Sequence, residues 1–322
     1  MPLHNLGYRA WTGIRTWPHT AWWVIASTGV ALAWKSRWLR RLVVVSWLPA
    51  AYLGLGIFAF EKAVEYPEWQ GVVPGILKGL PGALSLEDVW DAPATSKGID
   101  LAQARYRIWA FLLMTLFRYS QGTILLILVG LVATPLIGSD LRTRAFLLYF
   151  SKPLGVWEYL GGKSAVVGTY LALITAGPAL ALYVVGVLLS ADLSVLQYTW
   201  DLPLRIVLAS AVVMIPTTAL ALCVSSLFQD NRNAVFAWFA IWILGWVVYG
   251  NLAVIHGIDR GTVTEGWWSF FSLFHVLGSL QSWVFGLSRP ESLIPQKAIL
   301  VAVVTVIATI VLHRRAVAPT RI

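Results

Sequence analysis

Acidic residues are scarce in this 322-residue chain, where 15 Asp and Glu stand against 24 Lys and Arg and charged residues of either sign make up only 12%. Soluble domains carry about 25%. A chain so poor in charge could not hide several uncharged runs of membrane-spanning length in a soluble core. Cysteine is nearly absent. The single thiol, Cys223, can close no disulfide within the chain and lies inside an apolar run, so it says nothing of redox compartment. The five histidines, His4, His19, His256, His275 and His313, are scattered without ligand spacing, which excludes a metal site of the usual pattern. No apolar run contains an acid, which argues against a proton relay or a carboxylate enzyme at membrane depth. A phosphate-cradling Gly-x-x-x-x-Gly-Lys-Ser/Thr loop is also missing. Trp157-Glu158-Tyr159-Leu160-Gly161-Gly162-Lys163-Ser164 has the ending, but Trp157 replaces the first glycine and no strand precedes it.

What is present is apolar sequence. Hydrophobic residues make up 58% of the chain and mean hydropathy is +0.72. Six runs are long enough to cross a bilayer: 42–60, 119–137, 164–189, 203–227, 234–254 and 293–312. The expected fold is all-α, a polytopic six-helix transmembrane bundle. Pro49, Pro135, Pro178 and Pro216 fall inside runs and predict kinks. The 18 tryptophans suit aromatic belts at two membrane surfaces. A seventh apolar stretch, 20–34, is short and resembles a signal peptide, ending in Ala31-Leu32-Ala33. The cluster Lys35, Arg37, Arg40 and Arg41 that follows at once resists translocation. It reads better as a helix lying along the cytoplasmic interface, with those four cations as membrane anchors.

Charge fixes the expected orientation. With the amino terminus inside, six spans return the carboxyl terminus inside. Fourteen of the 24 basic residues then face the cytoplasm, with only Asp140, Glu158 and Asp230 of the acids. This follows the positive-inside rule and gives the net charge of +9 a membrane reading in place of a nucleic-acid one. The expected organisation is an N-terminal segment and interface helix over 1–41, a six-span bundle over 42–312 and a cytoplasmic tail over 313–322. Outer loops fall at 61–118 and 255–292, with a break near Arg118 and an interface or re-entrant helix over 270–285. A cytoplasmic segment covers 138–163. The alternative, a seventh span near 270–285, would put Arg314 and Arg315 outside.

The cytoplasmic segment carries the most information. Asp140 stands just past the second run, and Arg142 and Arg144 follow. Pro153 stops the helix after them, and Glu158 and Lys163 lead into the third run. Aromatic and apolar residues among charges suggest a docking surface. The stretch resembles the type-2 ABC transporter permease family. Its Asp-x-Arg element matches Asp140 and Arg142. Leu-Tyr-x-Ser-Lys-Pro-Leu matches 148–154, with Tyr149, Lys152 and Pro153. Glu-Tyr-x-x-Gly-Lys matches Glu158, Tyr159, Gly162 and Lys163. The likeness covers about 30 residues. It implies a transport subunit, an exporter by preference, that is not itself an enzyme. Two such subunits, as a homodimer or heterodimer, would form the path. Separate ABC ATP-binding subunits would hold the ATP and Mg, leaving this chain without a cofactor. The segment 140–163 would contact the ATPase, with the lipid bilayer as the other partner. Rival readings are a membrane anchor that performs mechanical work and a membrane-embedded lipid enzyme.

Overall fold

The computed structural model describes residues 20–66, 101–143, 145, 154–190, 193–255, 267–288 and 293–317. Among these the regular structure is helical, with no strand. In chain order the helices are α1 Ala21–Trp34, α2 Arg37–Ser46, α3 Leu48–Glu65, α4 Leu101–Tyr119, α5 Leu125–Val132 and α6 Thr134–Arg142. They continue with α7 Val156–Ile174, α8 Ala176–Leu189, α9 Val195–Thr199, α10 Leu202–Leu227, α11 Asn231–Ile255, α12 Leu273–Val284 and α13 Ile294–Val317. Six continuous stretches are long and apolar enough to cross a membrane: Arg37–Ala63, Arg105–Arg142, Val156–Leu189, Val195–Leu227, Asn231–Ile255 and Ile294–Val317. Five of the six runs expected from the sequence fall within them, and the sixth, 293–312, starts one residue before the last stretch.

The prolines act in two ways. Pro49 and Pro203 sit in the first turn of α3 and α10, where a missing N–H costs nothing, whereas Pro135, in the first turn of α6, falls within the second span. Pro178 follows the interruption at Thr175 between α7 and α8. Pro216 alone lies inside a continuous helix. Beyond Arg118 the second span does not break. It passes through a π-helical turn, Ser120–Ile124, which absorbs one residue's excess and lets α4 and α5 form one long helical path.

Two packed cores lie along the bundle. One joins Leu39, Val43, Leu128, Tyr170, Leu222 and Trp238. The other joins Ile57, Trp109, Phe117, Leu182, Ile206 and Phe285. In lipid, apolar burial drives helices together only weakly, so close packing must supply the attraction. The contact of α1 with α7 shows it. A Cβ on Gly162 would lie 2.7 Å from Ile25 Cβ and 2.9 Å from the Trp22 carbonyl oxygen. Further along, the Tyr170 hydroxyl donates to Val30 O at 2.7 Å, and Trp34 stacks on the Tyr170 ring. Helix α1 thus lies lengthwise on α7, and the two advance in the same direction. The sequence suggested a helix set apart along the interface. Its weak amphipathicity lets both faces be apolar, and Gly162 opens a groove for it. The stretch 270–285, expected as an interface or re-entrant helix, is packed into the bundle. Helix α12 buries Val276–Ser282 against α10, α11 and α13.

Candidate functional site

At one end of the bundle the last turn of the second span meets the first turns of the third. Helix α7 starts after Gly155, whose N–H donates to Glu158 Oε2 at 3.1 Å. This satisfies one of the free donors at the helix start. The same helix then presents Tyr159, Gly162 and Lys163 to its neighbours. Tyr159 Oη donates to Asp140 Oδ2 at 2.7 Å, and Lys163 Nζ lies 2.8 Å from that same oxygen. Lys163 also donates to the Leu136 carbonyl at 2.8 Å and lies 5.5 Å from the Tyr159 ring centroid. Asp140, Tyr159 and Lys163 thus form a buried knot in which one carboxylate oxygen takes two donors. Arg142, two residues past Asp140, is exposed. Its charge complements the C-terminus of α6. Of the other candidates, Arg144, Tyr149, Lys152 and Pro153 lie outside the described residues. Lys35, Arg37, Arg40 and Arg41 belong to α2 and its preceding turn, and all four are exposed.

The knot depends on a second feature. Pro135 prevents a regular ladder at the start of α6, leaving the N–H groups of Ile137 and Gly138 to seek another acceptor. Ser225 Oγ, from α10, accepts from both, at 3.1 and 3.2 Å, and donates to the Thr134 carbonyl at 2.7 Å. One hydroxyl therefore fills the gap that the proline opens. Gly138 brings the backbones close: a Cβ there would lie 2.9 Å from Phe228 O. Replacing Ser225 with Ala should cost about 1–3 kcal/mol, because buried N–H groups lose their acceptor. A lowered melting midpoint in detergent checks it, and an unchanged midpoint would refute the bridge.

The opposite end carries paired charges that sequence reasoning left in an outer loop. Glu61 accepts from Arg105 Nε at 3.0 Å, Arg105 Nη2 at 2.8 Å and Trp109 Nε1 at 3.2 Å. Asp201 accepts from Tyr106 Oη at 2.8 Å and Arg205 Nε at 2.7 Å, while Arg205 Nη1 donates to Val284 O at 2.6 Å. These tie the first, second and fourth spans and the end of α12. The only signal in the sequence was an acid at each apolar boundary. Partners 44 and 95 residues apart are not readable from spacing.

Between the two ends, Arg118 turns onto α12, donating to Phe274 O at 3.2 Å with its guanidinium 4.1 Å from the Phe274 ring centroid. Lys297 is fully buried and donates to Ser279 Oγ at 2.8 Å. His275 lies against Tyr249, its Nδ1 2.8 Å from Ser272 Oγ. Burial, with help from Arg118 and Lys297, pushes the His275 pKa down to about 3. The unfolded chain takes up a proton near pH 6.5 and the folded chain only near 3, so stability should fall as pH drops through that window. Unfolding midpoints between pH 7 and 4 should drop less for His275→Gln than for the wild type; equal slopes would exclude His275 as the source.

Six helices long and apolar enough to cross a membrane, the second and third of them tied at one end by a carboxylate–lysine knot, mark a multi-pass membrane protein. No family model and no curated protein matches the chain.

Proposed function

We propose that this chain is the membrane-spanning permease subunit of an ATP-driven ABC transporter, an exporter that works as a dimer with separate ATPase subunits. The observation that carries the reading is the knot. Three residues of the family-like segment, Asp140, Tyr159 and Lys163, are spread over 24 positions and come together where the second and third spans meet, while Gly162 on the same helix receives α1. Such a knot makes the two spans move as one body, which a subunit driven from the cytoplasmic side requires. Arg142 stays exposed beside it, available to a partner. In this scheme both termini and the segment 138–163 face the cytoplasm, and the membrane is the cell's inner one. ATP and Mg bind the partner, and the chain itself catalyses no reaction. Spans whose acids lie only near their ends, where Glu61, Asp140 and Asp201 are paired with cations, suit an amphipathic or lipid-like cargo.

A second reading, a membrane anchor that turns ATPase motion into work on an outer partner, draws on one fact. The second, third and fourth candidate spans are 38, 34 and 33 residues long, well beyond the 25 and 24 of the last two. That extra length is packed as the core around Trp109 and Phe285.

Co-purification separates a driven subunit from an undriven one. The chain, purified in mild detergent from its native membrane, should carry an ABC ATPase with it. The double variant Arg142→Glu/Arg144→Glu should lose it while remaining in the membrane. Undiminished association together with undiminished ATP-driven transport would defeat the coupling role of the segment.

A further inference from the structure

We infer that the cationic face of α2 lies within the bilayer, well above the inner surface, and forms a site for the phosphate headgroup of an anionic phospholipid. The depth follows from contacts. The inner ends of the spans meet at one level: Gly138 is against Phe228, Lys163 holds Leu136 O, and Trp157 stacks on His313. From Lys163, helix α7 climbs at 1.5 Å per residue. Tyr170, which bears Trp34, is therefore about 10 Å up. Gly177, which meets the Trp47 ring, is about 21 Å up. Lys35 and all of α2 lie between these two marks. The hydrocarbon layer is about 30 Å thick. It begins near the inner level, because α11 and α13 start or end there and expose apolar side chains from that end onward: Phe236 and Ile241 on α11, and Ile310 and Ile307 on α13.

Helix α2 is strongly two-faced. Leu39, Val43 and Ser46 are buried in the bundle. Arg37, Arg40 and Arg41, spaced to share one face, are exposed, and Lys35 precedes them. No ion pair joins these four to an acid among the described residues. Several cations facing bare lipid at this depth are too costly to persist. Intramembrane charges instead face protein, water or a bound counter-ion. An anion drawn to them satisfies that requirement directly. Guanidinium forks match phosphate oxygens in pairs. Trp38, exposed beside Arg41 with its ring centroid 5.6 Å from the guanidinium carbon, offers an apolar shelf for the glycerol and upper acyl chain. A phospholipid of the inner leaflet can present both groups together, which free phosphate cannot. The inference needs only that the bundle sits in a bilayer, and it holds whether or not an ATPase drives the chain.

Two measurements on the full chain in phosphatidylcholine nanodiscs test it. First, Trp38→Cys in a Cys223→Ser background is labelled with bimane and quenched by nitroxide lipids of graded depth. Stronger quenching from the acyl chain than from the headgroup is expected. Strongest quenching from the headgroup would put α2 at the surface and overturn the inference, leaving a plain interfacial anchor. Second, native mass spectrometry compares retained phosphatidylglycerol with retained phosphatidylcholine. The wild type should prefer phosphatidylglycerol, and Arg37→Gln/Arg40→Gln/Arg41→Gln should weaken that preference at least about tenfold, since three lipid-facing cations are lost. Glycerol phosphate at millimolar concentration should not displace the lipid; displacement would assign the site to a free anion. Equal retention of both lipids by the wild type overturns the inference, as does an unchanged preference in the triple variant. If the triple variant does not fold, Arg40→Gln alone must still reduce the preference. Loss of the ATPase in co-purification with these two results intact would defeat the transport reading alone.

Discussion

Replacing Asp140 with Ala should destabilise the protein by roughly 3–5 kcal/mol, the scale for removing one partner of a buried ion pair. The size follows from what remains. Among the described residues Lys163 keeps the Leu136 carbonyl and the Tyr159 ring but no opposite charge, and the Tyr159 hydroxyl loses the Asp140 carboxylate. Both side chains of the pair are only 12% exposed, so water can relieve little of the loss. The double variant Asp140→Leu/Lys163→Met should recover much of the stability, since an apolar pair strands no charge. Thermal unfolding in detergent reads the difference, and the double variant carries the informative result. If the proposed ATP-driven transport is assayed beside it, recovery of stability without recovery of transport would mean that the ion pair serves coupling as well as folding. A single variant as stable as the wild type would remove the knot from the description altogether.

The second large effect concerns α1. Gly162→Leu should detach α1 from α7, because its Cβ would lie within 2.9 Å of the Trp22 backbone oxygen, which cannot move aside as a side chain can. Overpacking of this kind costs about 1–3 kcal/mol when the neighbour can shift, and more when it cannot. Gly161→Ala is the control: it is the adjacent glycine on the same helix, and a Cβ there meets nothing within 4 Å. Spin labels at Ser27 and Thr169, both exposed, report the separation of the two helices. The Gly162 variant should broaden and lengthen that distance, while the Gly161 variant should leave it unchanged. Equal behaviour of the two would show that the close approach is not what docks α1.

Much of this architecture is legible before any coordinates. Composition and run length locate all six spans, because an uncharged stretch of about twenty residues has few alternatives to a membrane helix. The loop from Asp140 to Lys163 also stands out, since charge and aromatic residues in a short connection are unusual. What the sequence hides is partnership at a distance. Nothing near Ser225 signals that its hydroxyl closes a proline gap 88 residues earlier in the chain. Nothing near Glu61 signals Arg105. Helix α1 is a different case. Its composition, tryptophans and trailing cations fit a helix on the membrane surface, but docking on α7 is decided by a missing side chain at Gly162. A glycine carries little pattern in a span already rich in small residues.

The most direct measurement concerns sidedness. Arg142→Cys in a Cys223→Ser background places one exposed thiol beside the knot. Offered an impermeant maleimide, this thiol should, on the proposed topology, stay unlabelled in intact cells and react fully in inverted membrane vesicles. Labelling in intact cells would put Asp140 and Lys163 on the outer side, where no ATP-hydrolysing partner could reach them.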